Sequence, residues 1–192
     1  FAIIGSYALL RKEEEPQKST ETDRFERYYT KKQLEFTLDL RPAEIVMLGN
    51  SITSYGDWNQ LLDRNDVANR GIVGDLSGRL SQRLDNVIRL KPKLCFLLIG
   101  INDIYTGESI ESIKENIIRT VEILTSHDIE VVLQSVIYVA KSAPKYEFVN
   151  NKVRKLNLWL EPYSYENNLA FLPLNMAIDN FRVMSEINTV DG

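Results

Sequence analysis

Short apolar runs alternate along this chain with longer stretches in which apolar residues recur every three or four positions. The first run, Ile45-Val46-Met47-Leu48, has the continuous pattern of a strand covered on both faces, and it stops at Gly49. Four more short strands follow from the pattern: Asp66–Arg70, Leu94–Ile99, Glu130–Val136 running on to Val139, and Leu169–Leu172. Phe25, Tyr28, Tyr29, Lys32 and Phe36 lie at helical spacing ahead of the first strand, and Pro42 forbids continuation. A short helix is expected at Trp58–Leu62, and a longer one carries Leu76, Leu80, Leu84, Val87 and Ile88 on one face before Pro92. The stripe Ile110, Ile113, Ile117, Val121 and Leu124 is the clearest helix, with Ser109 as its N-cap and Glu111 in the first turn. Tyr146, Val149, Val153, Leu156 and Leu160 mark another, which is expected to stop at Pro162. Strands alternating with helices predict βαβ units with right-handed crossovers, hence a three-layer α/β fold around a five-stranded parallel sheet, flavodoxin-like in plan.

The ends differ in character. Phe1–Leu10 is apolar and lacks a starting methionine, and residues 11–23 are polar and charged around Pro16, as in a linker. The apolar stretch fits equally the end of a signal or anchor segment and an amphipathic helix lying on the domain. Location is therefore open between secreted, periplasmic, membrane-anchored and cytoplasmic. The expected organisation is an N-terminal apolar segment, linker and helix over 1–42 and one α/β domain over 43–192.

Composition narrows the function classes. At 192 residues with 44% hydrophobic and 26% charged side chains, the chain is an ordinary globular domain with a sizeable core. A net charge of −4 argues against a general nucleic-acid binder. Cys95, the single cysteine, permits no internal disulfide and sits in an apolar run, where it reads as a buried strand residue.

In open α/β sheets, ligands bind beyond the carboxyl ends of the strands. Ser51 follows the first strand, Gly74 the second, Asn102 the third, and Asp191 the fifth. Acyl transfer requires such types. A serine hydroxyl needs a base, and the oxyanion it generates needs preorganised donors. The backbone N–H groups of Ser51 and Gly74 and the amide of Asn102 can supply them. A flavodoxin-like site, in which Ser51, Thr53 and Ser54 cradle a phosphate such as that of FMN, is the competing reading; it leaves Gly74, Asn102 and Asp191 unexplained.

Gly49-Asn50-Ser51, the glycine of Ile72-Val73-Gly74-Asp75, and Gly100-Ile101-Asn102-Asp103 resemble the first three blocks of the SGNH (GDSL-type) hydrolases. The resemblance covers about residues 43–192 and leans toward the platelet-activating-factor acetylhydrolase-like and carbohydrate acetylesterase-like branches. It implies a serine esterase without metal or cofactor. Ser51 is then the nucleophile, Ser51, Gly74 and Asn102 form the oxyanion hole, and the substrate is a small ester, acetylated carbohydrate foremost.

Two departures stand out. Asn50 occupies the position where the GDSL name expects aspartate. Thr189-Val190-Asp191-Gly192 looks like the opening of the Asp-x-x-His block, and the sequence stops two residues before its histidine; the expectation is that the natural chain continues into it. A third reading, a non-catalytic carbohydrate-binding relative, follows if it does not. His127, the only histidine present, falls at the amino end of the fourth strand and is excluded from the site. Asn50, Asp57 and Trp58 are candidate substrate-lining residues, and Asn69-Arg70 and Gln134-Ser135 lie near the same rim.

Overall fold

The structure is a computed structural model that describes residues 20–180 and 183–184. Five parallel strands, β1 (Ile45–Gly49), β2 (Val67–Gly71), β3 (Leu94–Leu98), β4 (Glu130–Gln134) and β5 (Ala170–Leu172), form one sheet in the order β2-β1-β3-β4-β5. Helices flank it, giving the three-layer α/β fold that the alternation predicts. Gly49 lies opposite Gly71 on one side and Leu98 on the other, so the carboxyl ends of β1, β2 and β3 are level. The chain leaves β1 toward β2 and then crosses back to β3; this reversal of direction opens a crevice at the strand ends.

The apolar stripes pack as their spacing requires. Val46 and Leu48 of β1, Cys95 and Leu97 of β3, and Val131 and Leu133 of β4 share one core. Ile113, Ile117, Val121 and Leu124 of α7 (Ile110–Thr125) join it, as do Val149, Val153, Leu156 and Leu160 of α8 (Tyr146–Glu166). Ser109 caps α7 by accepting from the Ser112 N–H. Burial pushes the Cys95 thiol up to about 12, which leaves it inert as a nucleophile. No helix among the described residues is long and apolar enough to cross a membrane.

Three elements differ from the sequence reading. The helix expected through residues 76–88 is broken into α4 (Ser77–Leu80), a 3₁₀ turn (Ser81–Arg83) and α5 (Asp85–Ile88). Gly78 and the serines around it favour helix weakly, and Arg83 is turned inward to make polar contacts described below. The fourth strand ends at Gln134. Beyond it, α8 supplies substitute partners: the Asn157 side chain bonds both the N–H and the carbonyl of Val136, and Asn150 does the same for Val139. Finally, α8 runs past Pro162 to Glu166, the proline being accommodated within its last two turns.

The helix α1 (Glu21–Leu38) opens with a capping box, in which Thr20 and Asp23 satisfy each other's backbone N–H. Its buried Tyr29 and Phe36 pack with Ile72, just past β2. At its end Asp39 pairs with the buried guanidinium of Arg70 at 3.3 Å, and that guanidinium lies 4.8 Å from the centre of the Phe36 ring.

Candidate active site

The loops leaving β1, β2 and β3 each present one half-exposed candidate residue next to a fully buried polar one. Ser51, Gly74 and Asn102 are half-buried, whereas their chain neighbours Asn50, Asp75 and Asp103 are 0%, 0% and 1% exposed. The exposed members are available to a ligand; the buried ones fix the loops.

The first loop carries Ser51 at the start of α2 (Ser51–Ser54). Asn50 caps that turn, its Oδ1 accepting from the Ile52 N–H at 3.1 Å. Its Nδ2 finds no partner among the described residues, and being buried it faces no open cleft. Asn69 of β2 secures the far side of the turn. Its amide donates to the carbonyls of Thr53, Ser54 and Gly56 at 3.0–3.1 Å, while its Oδ1 accepts from the Gly71 N–H. Asp57 caps α3 (Trp58–Leu61), and the Trp58 indole donates to the Thr53 carbonyl at 2.8 Å. Asn69 and Trp58 thus brace the serine turn, and Asp57 starts the helix that carries Trp58. Arg70 is spent on Asp39, and the Ser135 hydroxyl is spent on Asn175.

The second loop turns at Gly74, whose φ of +76° is left-handed. A side chain there would place its Cβ 2.6 Å from the Phe25 ring of α1, so both torsion and space require glycine. Asp75 follows with a buried carboxylate that accepts from four donors. Arg83 Nε and Nη2 reach one oxygen at 2.8 and 2.6 Å; the Tyr29 hydroxyl and the Leu76 N–H reach the other at 3.0 Å. Burial pushes the Asp75 carboxyl up, and the facing guanidinium pulls it back toward the ionised form. Arg83 continues past Asp75 to the Arg70 carbonyl at 2.9 Å and the Gly49 carbonyl at 3.2 Å. One guanidinium therefore ties the end of β1, the end of β2 and the glycine loop together.

The third loop turns at Gly100, φ +124°, into α6 (Ile101–Thr106), where Asn102 lies in the first turn. Asn102 Nδ2 donates to the Asp75 carbonyl at 2.9 Å, which spends one of its two hydrogens and leaves the other for a ligand. Asp103 points inward and accepts from the Ser77 N–H at 3.0 Å and the Ser77 hydroxyl at 2.6 Å. Burial raises the Asp103 carboxyl, opposed by those two bonds. The loops of Gly74 and Asn102 are thus latched twice, at Asp75 and at Ser77.

Asp191 lies outside the described residues. His127 is exposed beyond the end of α7, its Nδ1 donating to the Ile123 carbonyl at 2.8 Å, and it leads into the amino end of β4, away from Ser51. Among the described residues no three His, Cys, Asp or Glu side chains gather in a way that could hold a metal ion. The sequence reading overlooked Asp75, Arg83 and Tyr29. Their signal was present: Arg83 and Tyr29 stand on the inward stripes of Leu80–Leu84 and Phe25–Phe36, where a charge or hydroxyl implies a buried partner.

Comparison with known proteins agrees with this fold. A Streptococcus pneumonia chain provisionally described as a platelet activating factor superposes with a TM-score of 0.76 at 22% identity, covering 89% of this chain and 85% of its own. A GDSL-like lipase from Bacteroides thetaiotaomicron gives 0.67 at 24% identity, with 82% of each chain covered. Among curated sequences, an N-acylneuraminate cytidylyltransferase of Streptococcus agalactiae serotype V is 26% identical over 159 residues, which is 79% of this chain and 35% of the relative. The chain thus spans about a third of the length of that relative. The GDSL-like Lipase/Acylhydrolase family model matches residues 47–187, running through all three loops, and the chain belongs to that family.

Proposed function

We propose that the chain is a serine ester hydrolase that removes short acyl groups, acetyl foremost, from carbohydrate or similarly small esters. The observation that carries this reading is the single buried knot. Arg83 and Asp75 join the backbone of Gly49, two residues before Ser51, to the Gly74 loop, and the Asp75 carbonyl holds the Asn102 amide. A serine, a glycine N–H and a side-chain amide fixed to one another in this way suit the formation and stabilisation of a tetrahedral oxyanion.

In this mechanism the Ser51 hydroxyl attacks the acyl carbonyl. Its proton passes to the histidine base of an Asp-x-x-His block, whose opening Asp191 resembles, and Asp191 orients that ring. The oxyanion is held by the N–H groups of Ser51 and Gly74 and by the free hydrogen of Asn102 Nδ2. The alcohol departs with the proton from the histidine, and water then releases the acid from Ser51 by the reverse sequence of transfers. The preference for acetyl rests on the family branch.

Hydrolysis of p-nitrophenyl esters of increasing acyl length, followed by acetylated sugars, tests the reading with a protein that includes the entire Asp-x-x-His block. Acetyl esters should turn over fastest. Absence of hydrolysis with every ester would overturn the esterase reading, and a preference for long acyl chains would overturn the acetyl assignment.

A further inference from the structure

The helix α1 lies before the region that the family model matches, yet it reaches the candidate oxyanion hole. We propose that Tyr29 of α1 is a positioning residue for that hole: through Asp75 it sets the Gly74 N–H and the Asn102 amide, and so couples α1 to turnover. The inference rests on the esterase reading above and deepens it.

Tyr29 is 5% exposed, and its hydroxyl is 3.0 Å from Asp75 Oδ1. Burial and the facing carboxylate raise its phenol well above the ordinary range, so it remains a donor throughout the working pH range. The oxygen it holds is also the acceptor of the Leu76 N–H, the second amide after Gly74. The Asp75 carbonyl, in turn, is what fixes Asn102 Nδ2. Two of the three proposed donors therefore hang on one residue, and α1 supplies one of its four side-chain bonds.

Other contacts hold α1 against the same loop. The Phe25 ring packs on Gly74, and Arg79 of α4 lies over the rings of Phe25 and Tyr29 at 5.3 and 5.1 Å. Arg79 also pairs with Glu26 at 2.7 Å. Contacts of α1 thus fall on Gly74, Asp75 and Arg79. Misplacing a catalytic group by about 1 Å costs on the order of 100-fold in rate, so a displaced loop should be visible in turnover.

The test compares Tyr29→Phe with Thr37→Val, which removes the bond from α1 to the Asn86 side chain of α5, away from residues 72–77. Tyr29→Phe should lower kcat about 10-fold with KM within about twofold, because Tyr29 touches no substrate and only part of a donor's effect is lost. Thr37→Val should leave kcat unchanged. Amide hydrogen exchange supplies a readout that does not depend on esterase activity. Exchange over residues 72–77 should quicken in Tyr29→Phe and stay at the wild-type rate in Thr37→Val. Unchanged exchange in Tyr29→Phe, or an equal loss of kcat in both variants, would overturn the inference. Quickened exchange in Tyr29→Phe, with a wild type that hydrolyses no ester, would leave the coupling of Tyr29 to the Gly74 loop standing and remove the esterase reading alone.

Discussion

Replacing Arg83 with lysine isolates the geometry of the buried knot from its charge. Arginine makes four bonds there, two to Asp75 Oδ2 at 2.6 and 2.8 Å and one each to the carbonyls of Arg70 and Gly49 at 2.9 and 3.2 Å. Lysine keeps the positive charge but is a single donor point on a flexible stem and cannot reproduce the fork. With its ammonium on Asp75, it forfeits one of the two carboxylate bonds and the bonds to both strand ends. The Gly49 carbonyl still accepts from the Ile72 N–H at 3.0 Å, so the loss there is partial. At about 1.5 kcal/mol for each bond from a charged donor, discounting Gly49, the substitution should cost roughly 3–4 kcal/mol. For a domain of this size that corresponds to a fall of roughly 10 °C in the melting temperature. Urea unfolding with an unchanged slope gives the free energy, and calorimetry gives the melting temperature. Below the transition, kcat should fall about 10-fold or more, because the loops of Gly74 and Asn102 lose their common anchor. A cost below about 1 kcal/mol with unchanged turnover would refute the assignment of Arg83 as the tie between the ends of β1 and β2 and the glycine loop.

Two further predictions follow from single contacts. Asn102→Ala should reduce kcat by about 10²–10³ with a small change in KM, measured by steady-state kinetics on an acetyl ester; a loss under about threefold removes the amide from the oxyanion hole. The bond from Arg41 and the nearby charge of Arg70 hold the Asp39 carboxyl down to about 2 from the ordinary carboxylate range. Its contribution is therefore fully present above about pH 4 and lost as the pH falls from about 4 toward 2. Melting temperatures across that window should fall less steeply for Asp39→Asn than for the wild type, and parallel curves would remove Asp39 from the acid limb.

Much of the fold was legible because the apolar runs are short, separate and level in the sheet. The stripe of α7 and the runs of β1 and β3 carried their own periods. The misplaced boundaries have local causes. Val136–Val139 has the composition of a strand, but its backbone is satisfied by Asn150 and Asn157 of α8, which no pattern within 136–139 reveals. The helix expected over 76–88 had an unbroken leucine stripe, yet Arg83 on the same face was drawn toward Asp75 and the turn tightened.

The candidate site divides in the same way. Ser51, Gly74 and Asn102 were visible as strand-end residues in chemically meaningful order. Their supports were not, since Tyr29 lies 46 positions from Asp75 and Asp103 lies 26 from Ser77, and only the fold brings each pair together. Asn50, Asp57 and Trp58 were expected to line a pocket because they neighbour Ser51 in sequence. Asn50 is wholly buried as a helix cap, whereas Asp57 and Trp58 line a cavity beside Asn69 and Arg70 while also capping α3 and bonding the Thr53 carbonyl.

The claim at the centre of this account is that Ser51 is the nucleophile. Mass spectrometry of the intact protein and its peptides after treatment with a fluorophosphonate tests it most directly, using protein that carries the whole Asp-x-x-His block. One adduct is expected, on Ser51, with labelling and ester hydrolysis both lost in a Ser51→Ala variant that melts at the wild-type temperature. An adduct on another residue, or a Ser51→Ala variant that hydrolyses acetyl esters at the wild-type rate, would contradict it.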